Sequence, residues 1–215
     1  MYQTVLATLS GMLLNKILYR TGHILLNFIF RVFFRLSVRG AEKVPATGGV
    51  LIAANHASFL DPPVVGCCIR REIYYFARKT LFDHWLLRWL LPKINAIPID
   101  QEKPDLAGIR SALRILQQGH GLLIFPEGAR TFDGKLQQGR PGLGLLVAKS
   151  RVPVIPVRIR GTFEAWPRTR KSIRLHPIRV TFGDPIQISP PSPGISMEQY
   201  YRQISQDILG KIASL

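Results

Sequence analysis

The chain has 215 residues, 47% of them hydrophobic and 20% charged, which suffices for one sizeable core but not for two comfortable domains. There are 29 lysines and arginines against 13 aspartates and glutamates, so the formal net charge is +16. This composition excludes a disordered chain and favours polyanionic partners, whether nucleic acid, anionic lipid surfaces or phosphorylated small molecules.

The first 36 residues contain two hydrophobic segments, which we expect to form two helices. Residues 3–19 have leucine, isoleucine and methionine at helical spacing, and a break at Arg20-Thr21-Gly22 is predicted to separate them from residues 22–36. The second segment is apolar around most of its girth and has one polar stripe: His23, Asn27, Arg31 and Arg35. Its rise of about 22 Å is shorter than a hydrocarbon core of about 30 Å, so a membrane span is disfavoured.

These helices are predicted to lie at an anionic bilayer surface with basic residues toward the headgroups, so residues 1–36 form a membrane-associating segment. Two alternatives stay open: the helices cover an enlarged protein core, or residues 1–36 supply one span. No signal peptide is predicted. The only cysteines, Cys67 and Cys68, are adjacent, which excludes a disulfide framework and favours a reducing compartment. The expected setting is the cytoplasmic face of a bacterial inner membrane.

Residues 37–215 alternate between strand and helix patterns. Short runs rich in β-branched or aromatic residues predict strands at residues 50–55, 73–77, 94–99, 121–126, 153–161 and 178–183. Helices are predicted between and after them, at residues 58–70, 80–91, 104–118, 142–150 and 197–212. This alternation predicts one α/β domain with a mostly parallel central sheet flanked by helices.

Polar residues follow three of the predicted strands, at the edge where parallel sheets bind ligands. They are Asn55, His56, Ser58 and Asp61, then Asp100 and Gln101, then Glu127, Gly128 and Arg130. In the third group, Pro126 ends the strand and Gly128 admits a tight turn. Arg130 then projects from the loop, where a guanidinium can grip a phosphate with two hydrogen bonds.

The stretch AANHASFLDP, residues 53–62, places His56 and Asp61 close together. Ser58 is predicted to cap a helix that starts near Phe59, with Asp61 in its first turn. From there Asp61 reaches back to the imidazole of His56 and leaves the other ring nitrogen free to take a proton. Since the G-x-S-x-G pattern of a nucleophilic serine is absent, the nucleophile on this hypothesis belongs to the substrate. The alternative is that both residues are only structural.

Three blocks resemble, in order and spacing, those of the PlsC-like lysophosphatidate acyltransferases, a glycerolipid acyltransferase family. NHASFLD resembles the family's N-H-x4-D block, FPEGAR its F-P-E-G-x-R block, and VPVIPV, residues 152–157, its proline-bearing fourth block. The resemblance covers roughly residues 1–185 and implies a glycerol-3-phosphate acyltransferase-like α/β fold. It implies acyl transfer from a thioester, acyl-CoA or acyl carrier protein, to the free hydroxyl of a lysophospholipid, with no cofactor.

The resemblance also implies roles for the site residues. His56 is the expected general base, and Asp61 is expected to orient and support it. The residues expected to bind the glycerol phosphate are Glu127, Gly128 and Arg130, and those expected to support or shape the site are Asn55, Ser58, Pro126 and Pro156.

The second block departs from the family pattern. It usually ends in Asp-Arg, whereas AIPIDQ ends here in Asp100-Gln101. Asp100 stays an expected substrate contact, but one phosphate contact is weakened or supplied elsewhere, and Lys79 in ARKTLF matches a family lysine that offers a replacement. Arg140 is either a further phosphate contact or a solvated loop residue. The basic run WPRTRKSIR, residues 166–174, is either a solvated loop or a contact with anionic lipid or the 3′-phosphate of CoA.

The leading hypothesis is an enzyme that acylates the 2-hydroxyl of 1-acylglycerol 3-phosphate, giving phosphatidic acid without a metal. The missing Asp-Arg motivates a second hypothesis, in which the acceptor is lyso-ornithine lipid or another lysophospholipid. A third hypothesis is a non-catalytic membrane-binding protein. The scattered His84, His120 and His176 have no metal-ligand spacing, so no metal site is predicted. No aromatic-interleaved sheet or recognition helix supports nucleic acid as a partner.

Overall fold

The computed structural model of the chain describes residues 2–100 and 106–215, with side chains in the first helix described from residue 15 onward. Within these residues one sheet has seven strands: β1 Ser37–Arg39, β2 Val50–Ala54, β3 Ile73–Arg78, β4 Ala96–Ile99, β5 Gly121–Ile124, β6 Val154–Arg160 and β7 Arg179–Phe182. The strand order is β1-β7-β6-β2-β5-β3-β4. All neighbouring pairs are parallel except β6 and β7, so the predicted α/β class with a mostly parallel sheet is confirmed.

Helices cover both faces of this sheet. In the described ranges they are α1 Tyr2–Phe33, α2 Asp61–Cys68, α3 Trp85–Leu90, α4 Leu106–Gln117, α5 Pro141–Ser150, α6 Thr162–Ala165 and α7 Met197–Ser214. One buried cluster joins the sheet to α1 and α2, for example through Phe30 and Val64. A second cluster joins it to α4, α5 and α7, for example through Leu116, Leu146 and Ile208. The core therefore has two layers, one on each side of the sheet.

The central strand, β2, lies between β6 and β5, and all five of its residues are buried. Such a continuous apolar run is typical of a parallel strand that is covered on both faces. Ala53 pairs with Ile124 of β5, so β2 and β5 end side by side. The loops that follow these two strands therefore start at the same edge of the sheet.

The N-terminal segment is one continuous helix, α1, so the predicted break at residues 20–22 and the two-helix motif are replaced by a single element. Gly22 inside the helix lowers helix stability by only about 1 kcal/mol relative to alanine. Hydrogen bonds to the rest of the protein hold the helix on both sides of Gly22. The hydroxyl of Tyr19 accepts a hydrogen bond from the N–H of Ile73 at 3.2 Å, and Nε2 of His23 lies 2.8 Å from the carbonyl oxygen of Ile69.

Two residues of the polar stripe, His23 and Asn27, are half-buried against the protein, whereas the basic residue Arg31 is exposed. Asn27 donates through Nδ2 to the carbonyl of Cys67 at 2.8 Å, and Arg31 donates through Nε to Asn27 Oδ1 at 2.8 Å. The stripe thus satisfies carbonyl groups at the C-terminal end of α2. The exposed residues of α1 include six large apolar ones: Ile17, Ile24, Leu25, Phe28, Val32 and Phe33. No helix within residues 2–100 and 106–215 is both long enough and apolar enough to cross a bilayer.

Two short elements were absent from the sequence prediction. β1 and α6 have three and four residues, too few to show a hydrophobic period. The helix predicted over residues 80–91 is divided into a 3₁₀ turn, Lys79–Asp83, and α3. The start of the helix predicted over residues 104–118 falls partly outside the described residues.

Candidate active site

The two loops that follow β2 and β5 hold each other at the carboxyl edge of the sheet. The backbone N–H of His56 donates to Oε1 of Glu127 at 2.8 Å, and the carbonyl of His56 accepts from the N–H of Thr131 at 2.9 Å. The other oxygen of Glu127, Oε2, accepts from the N–H of Gln137 at 3.0 Å. The buried carboxylate of Glu127 therefore joins the His56 loop to Gln137, further along the loop that follows β5.

Glu127 accepts hydrogen bonds from backbone N–H groups of both loops, whereas the family resemblance implies a contact with the glycerol phosphate. The residue is only 4% exposed, and both of its oxygens accept backbone hydrogen bonds. Burial raises the pKa of the Glu127 carboxyl; the two N–H donors oppose this shift, and the nearby Asp61 adds to it. We therefore assign Glu127 the role of positioning His56.

His56 and Asp61 form the predicted pair. Nδ1 of His56 lies 2.8 Å from Oδ2 of Asp61. Because a carboxylate oxygen only accepts hydrogen bonds, Nδ1 carries the proton and Nε2 keeps its lone pair. The ring of His56 also stacks on Phe125, with centroids 3.9 Å apart and ring planes 15° apart. The imidazole is thus held in the tautomer and orientation that can take a proton from a bound hydroxyl.

Asp61 is fully buried at the first residue of α2, so its predicted place in the first turn of a helix is confirmed. Its Oδ2 also accepts from the N–H groups of Ala57 at 2.6 Å and Ser58 at 2.7 Å. Ser58 is not the helix cap that the sequence predicted. Its hydroxyl accepts from the N–H of Leu60 at 3.1 Å and donates to the carbonyl of Trp166 at 2.7 Å. Ser58 therefore ties the His56 loop to the chain after α6.

Two expected supporting residues stabilise the sheet beside the site. Asn55 donates to the carbonyl of Ile159 at 3.0 Å and accepts from its N–H at 2.7 Å, which joins the end of β2 to β6. Pro156 is buried inside β6, and its carbonyl accepts from the N–H of Gly183 at 2.8 Å. Both residues lie outside the linings of the two cavities that meet at His56.

His56 lines two cavities, with volumes of about 600 and 610 Å³. Its side chain is 16% exposed, so part of the ring is open to these spaces. The first cavity is bounded by α1, by the segment around α3 and by the loop that carries Arg130. The second lies against α4 and α5 and is lined mostly by apolar residues. The imidazole of His56 therefore borders two cavities that differ in their lining.

Arg130 lines the first cavity beside Phe59, whose ring centroid is 3.3 Å from the guanidinium carbon of Arg130. The Nη1 atom of Arg130 is buried and has no hydrogen-bond partner among the described residues. Burial, and then the neighbouring Arg168, lower the pKa of Arg130, while Asp61 opposes the shift. This guanidinium is well placed to bind an anion that enters the cavity.

Gly128 and Arg140 line the second cavity. Gly128 has a φ of +70°, and a Cβ at this residue would lie 2.6 Å from Cδ of Arg140, so glycine alone suits both the backbone and the neighbour. The N–H of Arg140 donates to the carbonyl of Pro126 at 2.9 Å, which fixes the start of α5 against the turn. Pro126 thus shapes the site through its backbone.

Not every predicted ligand is brought to these cavities. Asp100 lines the second cavity, but Lys79 is exposed and lines neither; the cavity residues next to it are Arg78 and Thr80. Gln101 lies outside the described residues. In the part of the chain that the structure describes, no group of three or more His, Cys, Asp or Glu side chains could hold a metal ion.

Sequence reasoning missed three contributors to the site: Phe59, Phe125 and Gln137. Phe125 reads as the end of an apolar strand, and Gln137 acts through a backbone N–H that almost any residue could supply, so neither gives a signal in the sequence. Arg168 belongs to the basic run that was interpreted as either a solvated loop or an anion contact. The structure places Arg168 in the lining of the first cavity.

A model of the acyltransferase family matches residues 35–160, more than half of the chain. This chain belongs to the acyltransferase family. The matched residues include both loops that meet at His56.

The chain is similar to named members of this family. It is 33% identical over 134 residues to the 1-acyl-sn-glycerol-3-phosphate acyltransferase of Bacillus subtilis (strain 168), covering 59% of this chain and 66% of the relative. It is 27% identical over 159 residues to the chloroplastic 1-acyl-sn-glycerol-3-phosphate acyltransferase BAT2 of Brassica napus, covering 72% of this chain and 46% of the relative. The chain thus spans about half to two thirds of the length of these curated relatives.

The fold is also that of a solved acyltransferase. The crystal structure of the 1-acyl-sn-glycerophosphate (LPA) acyltransferase, PlsC, from Thermotoga maritima matches with a TM-score of 0.75, over 92% of this chain and 78% of that chain. The sequences are 23% identical, so this likeness shows a shared fold.

Proposed function

We propose that this acyltransferase moves an acyl group from acyl-CoA or acyl carrier protein to the 2-hydroxyl of 1-acyl-sn-glycerol 3-phosphate, which yields phosphatidic acid. The observation that carries the proposal is the place of His56, backed by Asp61, where two cavities meet. One cavity contains the cation Arg130, which suits an anionic acceptor, and the other is mostly apolar, which suits a second lipid chain. The relatives are named for action on this acceptor, which supports the same assignment.

His56 acts as the general base in the proposed reaction. Its Nε2 removes the proton from the acceptor hydroxyl while the hydroxyl oxygen attacks the thioester carbonyl carbon. Asp61 supports the imidazolium that forms. The tetrahedral intermediate then collapses as the carbon–sulfur bond breaks, and the proton passes from His56 to the departing sulfur. The products are an ester and a free thiol, and the step uses no resident cofactor.

The two substrates are assigned to the two cavities. The acceptor enters the first, with its phosphate near Arg130 and its acyl chain along apolar lining residues such as Leu81, Leu91 and Ile94. The donor's acyl chain enters the second, along α4 and α5, so that its thioester approaches His56 from a different side. Arg140 at this second cavity offers a contact for anionic groups of the donor.

We also propose that the protein lies on an anionic membrane, on the cytoplasmic face of a bacterial inner membrane. A membrane-facing surface is formed by exposed apolar residues of α1 and α3: Ile24, Leu25, Phe28, Val32, Phe33, Trp85, Leu86 and Trp89. Tryptophans at such a surface suit the bilayer interface, and a net charge of +16 favours anionic headgroups. Residues of α1 also line the first cavity, so a lipid acceptor can enter from the side that faces the bilayer.

A second candidate acceptor follows from Gln101, which stands where the family pattern has an arginine. A lyso-lipid without a phosphate monoester, such as lyso-ornithine lipid, needs fewer cations. Arg130 favours the phosphorylated acceptor.

The experiment that tests the proposal offers purified protein a panel of acceptors, with acyl-CoA and acyl carrier protein donors in parallel. The panel contains 1-acylglycerol 3-phosphate, lyso-ornithine lipid and other lysophospholipids. We expect the fastest transfer to 1-acylglycerol 3-phosphate. If that acceptor is ignored while one without phosphate is acylated, the proposed acceptor is wrong, and if no acceptor is acylated with either donor, the proposed activity is wrong.

A further inference from the structure

Two arginines, Arg130 and Arg168, line the first cavity together with His56. Nη1 of Arg168 donates to the backbone carbonyl of Arg130 at 3.2 Å. The guanidinium of Arg168 also stacks on Phe132, 3.8 Å from the ring centroid, as that of Arg130 does on Phe59. An aromatic face thus holds each cation in place before any ligand binds, which lowers the entropy lost on binding.

Within residues 2–100 and 106–215, neighbouring acids do not neutralise the two cations. Among the side chains that the structure describes, no carboxylate lies within ion-pair distance of either guanidinium. The acid that acts on Arg130 electrostatically is Asp61, whose Oδ2 is already shared by three donors. Burial lowers the pKa of Arg130 most, and the proximity of Arg168 lowers it further, which is the expected effect of like charges. Two cations held together and a buried, unpartnered Nη1 on Arg130 form a site that an anion would stabilise.

We infer that Arg168 and Arg130 together bind one phosphate monoester, and that Arg168 is a specificity-determining residue for the phosphate of the acceptor. The inference rests on the proposed function. It adds a phosphate-binding residue, Arg168, that lies outside the sequence blocks from which the site was predicted. A phosphate monoester carries a charge of about −1.5 to −2 at neutral pH, which matches two guanidinium groups. Each guanidinium can give the phosphate two parallel N–H donors.

The position of the pair identifies which phosphate it binds. In 1-acylglycerol 3-phosphate, the phosphate is attached to the carbon next to the one that bears the acceptor hydroxyl. A phosphate held by Arg130 and Arg168 therefore leaves that hydroxyl within the same cavity as His56. The 3′-phosphate of CoA is at the opposite end of that molecule from the reacting sulfur. It is therefore not the phosphate expected in the cavity that contains the general base.

The test compares the wild type with Arg168→Ala, Arg168→Lys and Lys171→Ala. Lys171 is a matched control because it is an exposed cation of the same loop and lines neither cavity. Transfer is measured to 1-acylglycerol 3-phosphate and to 1-acylglycerol, which lacks the phosphate, with acyl-CoA and with acyl carrier protein as donors. Binding of both acceptors is measured by calorimetry without a donor.

We expect Arg168→Ala to raise the KM for 1-acylglycerol 3-phosphate about tenfold or more with both donors, because a hydrogen bond between charged groups is lost. The kcat should stay within about threefold, since the general base is untouched. Arg168→Lys should recover part of the loss, because it restores the charge without the planar fork. Lys171→Ala, and the handling of 1-acylglycerol by every variant, should match the wild type.

The inference is overturned if wild type and Arg168→Ala bind 1-acylglycerol 3-phosphate equally strongly, or if neither binds it. It is also overturned if Arg168→Ala loses the same fraction of its activity on both acceptors. A loss of activity seen only with acyl-CoA would overturn it too, because it would assign Arg168 to the donor. Failure of the proposed function is a separate outcome. If Arg168→Ala alone weakens binding of the phosphorylated acceptor while the wild type acylates no acceptor, the phosphate site stands and the proposed activity is wrong.

Discussion

One oxygen of Asp61, Oδ2, accepts hydrogen bonds from Nδ1 of His56 and from two backbone N–H groups. Its other oxygen, Oδ1, is buried and has no hydrogen-bond partner among the described residues. The carboxylate thus does two things at once: it sets the tautomer of the imidazole, and it closes the loop that carries the imidazole. Both functions depend on an oxygen that only accepts hydrogen bonds.

Replacing Asp61 by asparagine should lower kcat by about 10²- to 10⁴-fold, because an amide can donate to Nδ1 and select the wrong tautomer. The KM for 1-acylglycerol 3-phosphate should stay within about threefold, since the cavity with Arg130 is unchanged. Steady-state kinetics of the purified variant measure both. Asp207→Asn is a control, because Asp207 is an exposed residue of α7. A variant that keeps a third of the wild-type kcat would contradict this role of Asp61.

Asn55→Asp should lower the free energy of unfolding by about 2–3 kcal/mol. The substitution keeps the acceptor for the N–H of Ile159 but removes the donor to its carbonyl, and it places a carboxyl group in a buried site. Urea unfolding monitored by circular dichroism measures the change. Asn95→Asp, at a half-buried turn residue, should change stability by about 0.5 kcal/mol or less. Equal losses in the two variants would show that the paired hydrogen bonds of Asn55 contribute nothing.

The sequence predicted the parts of the site that depend on local spacing. His56 and Asp61 are five residues apart, and the strand that precedes them is a clear apolar run. The role of Glu127 could not be predicted, because its partners are backbone groups of His56, 71 residues away, and of Gln137. Helix α1 was predicted to break because local propensity cannot register the contacts of Tyr19 and His23 with the folded domain.

The role of Arg168 could not be predicted for a different reason. The run of basic residues around it has no periodicity or spacing that would distinguish a phosphate-binding side chain from a solvated one. Only the fold brings the loop after α6 to the same cavity as the loop after β5. A sequence block can therefore identify Arg130 in the lining of such a cavity while Arg168, its neighbour from another loop, goes unrecognised.

The burial of Glu127 predicts a pH dependence of stability. Burial raises the pKa of its carboxyl above the ordinary value of 4.5, so the folded protein binds a proton over a pH range in which the unfolded chain has already released it. The contribution of Glu127 to stability therefore falls as the pH rises through that range. Glu127→Gln lacks this titration. The free energy of unfolding of the wild type minus that of the variant should be smaller at about pH 7 than at about pH 4.5.

Urea unfolding of both proteins at the two pH values measures this difference. Asp61 and Arg158 also act electrostatically on Glu127, and both are present in the variant. Glu198→Gln is the control, because Glu198 is an exposed residue paired with Arg202. A difference that grows with pH for Glu127→Gln would mean that the hydrogen bonds outweigh burial and that the folded protein lowers the pKa of Glu127.

The membrane-facing surface predicts that Trp85→Ala combined with Trp89→Ala weakens binding to anionic vesicles about tenfold, because two exposed aromatic side chains leave the bilayer interface. Co-sedimentation with vesicles of phosphatidylglycerol and phosphatidylethanolamine measures the partition. Met197→Ala is the control, since Met197 is half-exposed on α7, which packs against the other face of the sheet from α1. Unchanged partition of the double variant, or equal loss in the control, would place the membrane contact elsewhere.

The central claim is that His56 is the general base, and His56→Ala tests it most directly. The backbone hydrogen bonds of residue 56 to Glu127 and Thr131 do not involve the imidazole, so the loop is expected to keep its place. Single-turnover transfer to 1-acylglycerol 3-phosphate should slow by about 10²- to 10⁴-fold, while calorimetric binding of that acceptor stays within about threefold of the wild type. A folded His56→Ala protein that transfers the acyl group at more than about a tenth of the wild-type rate would contradict the account.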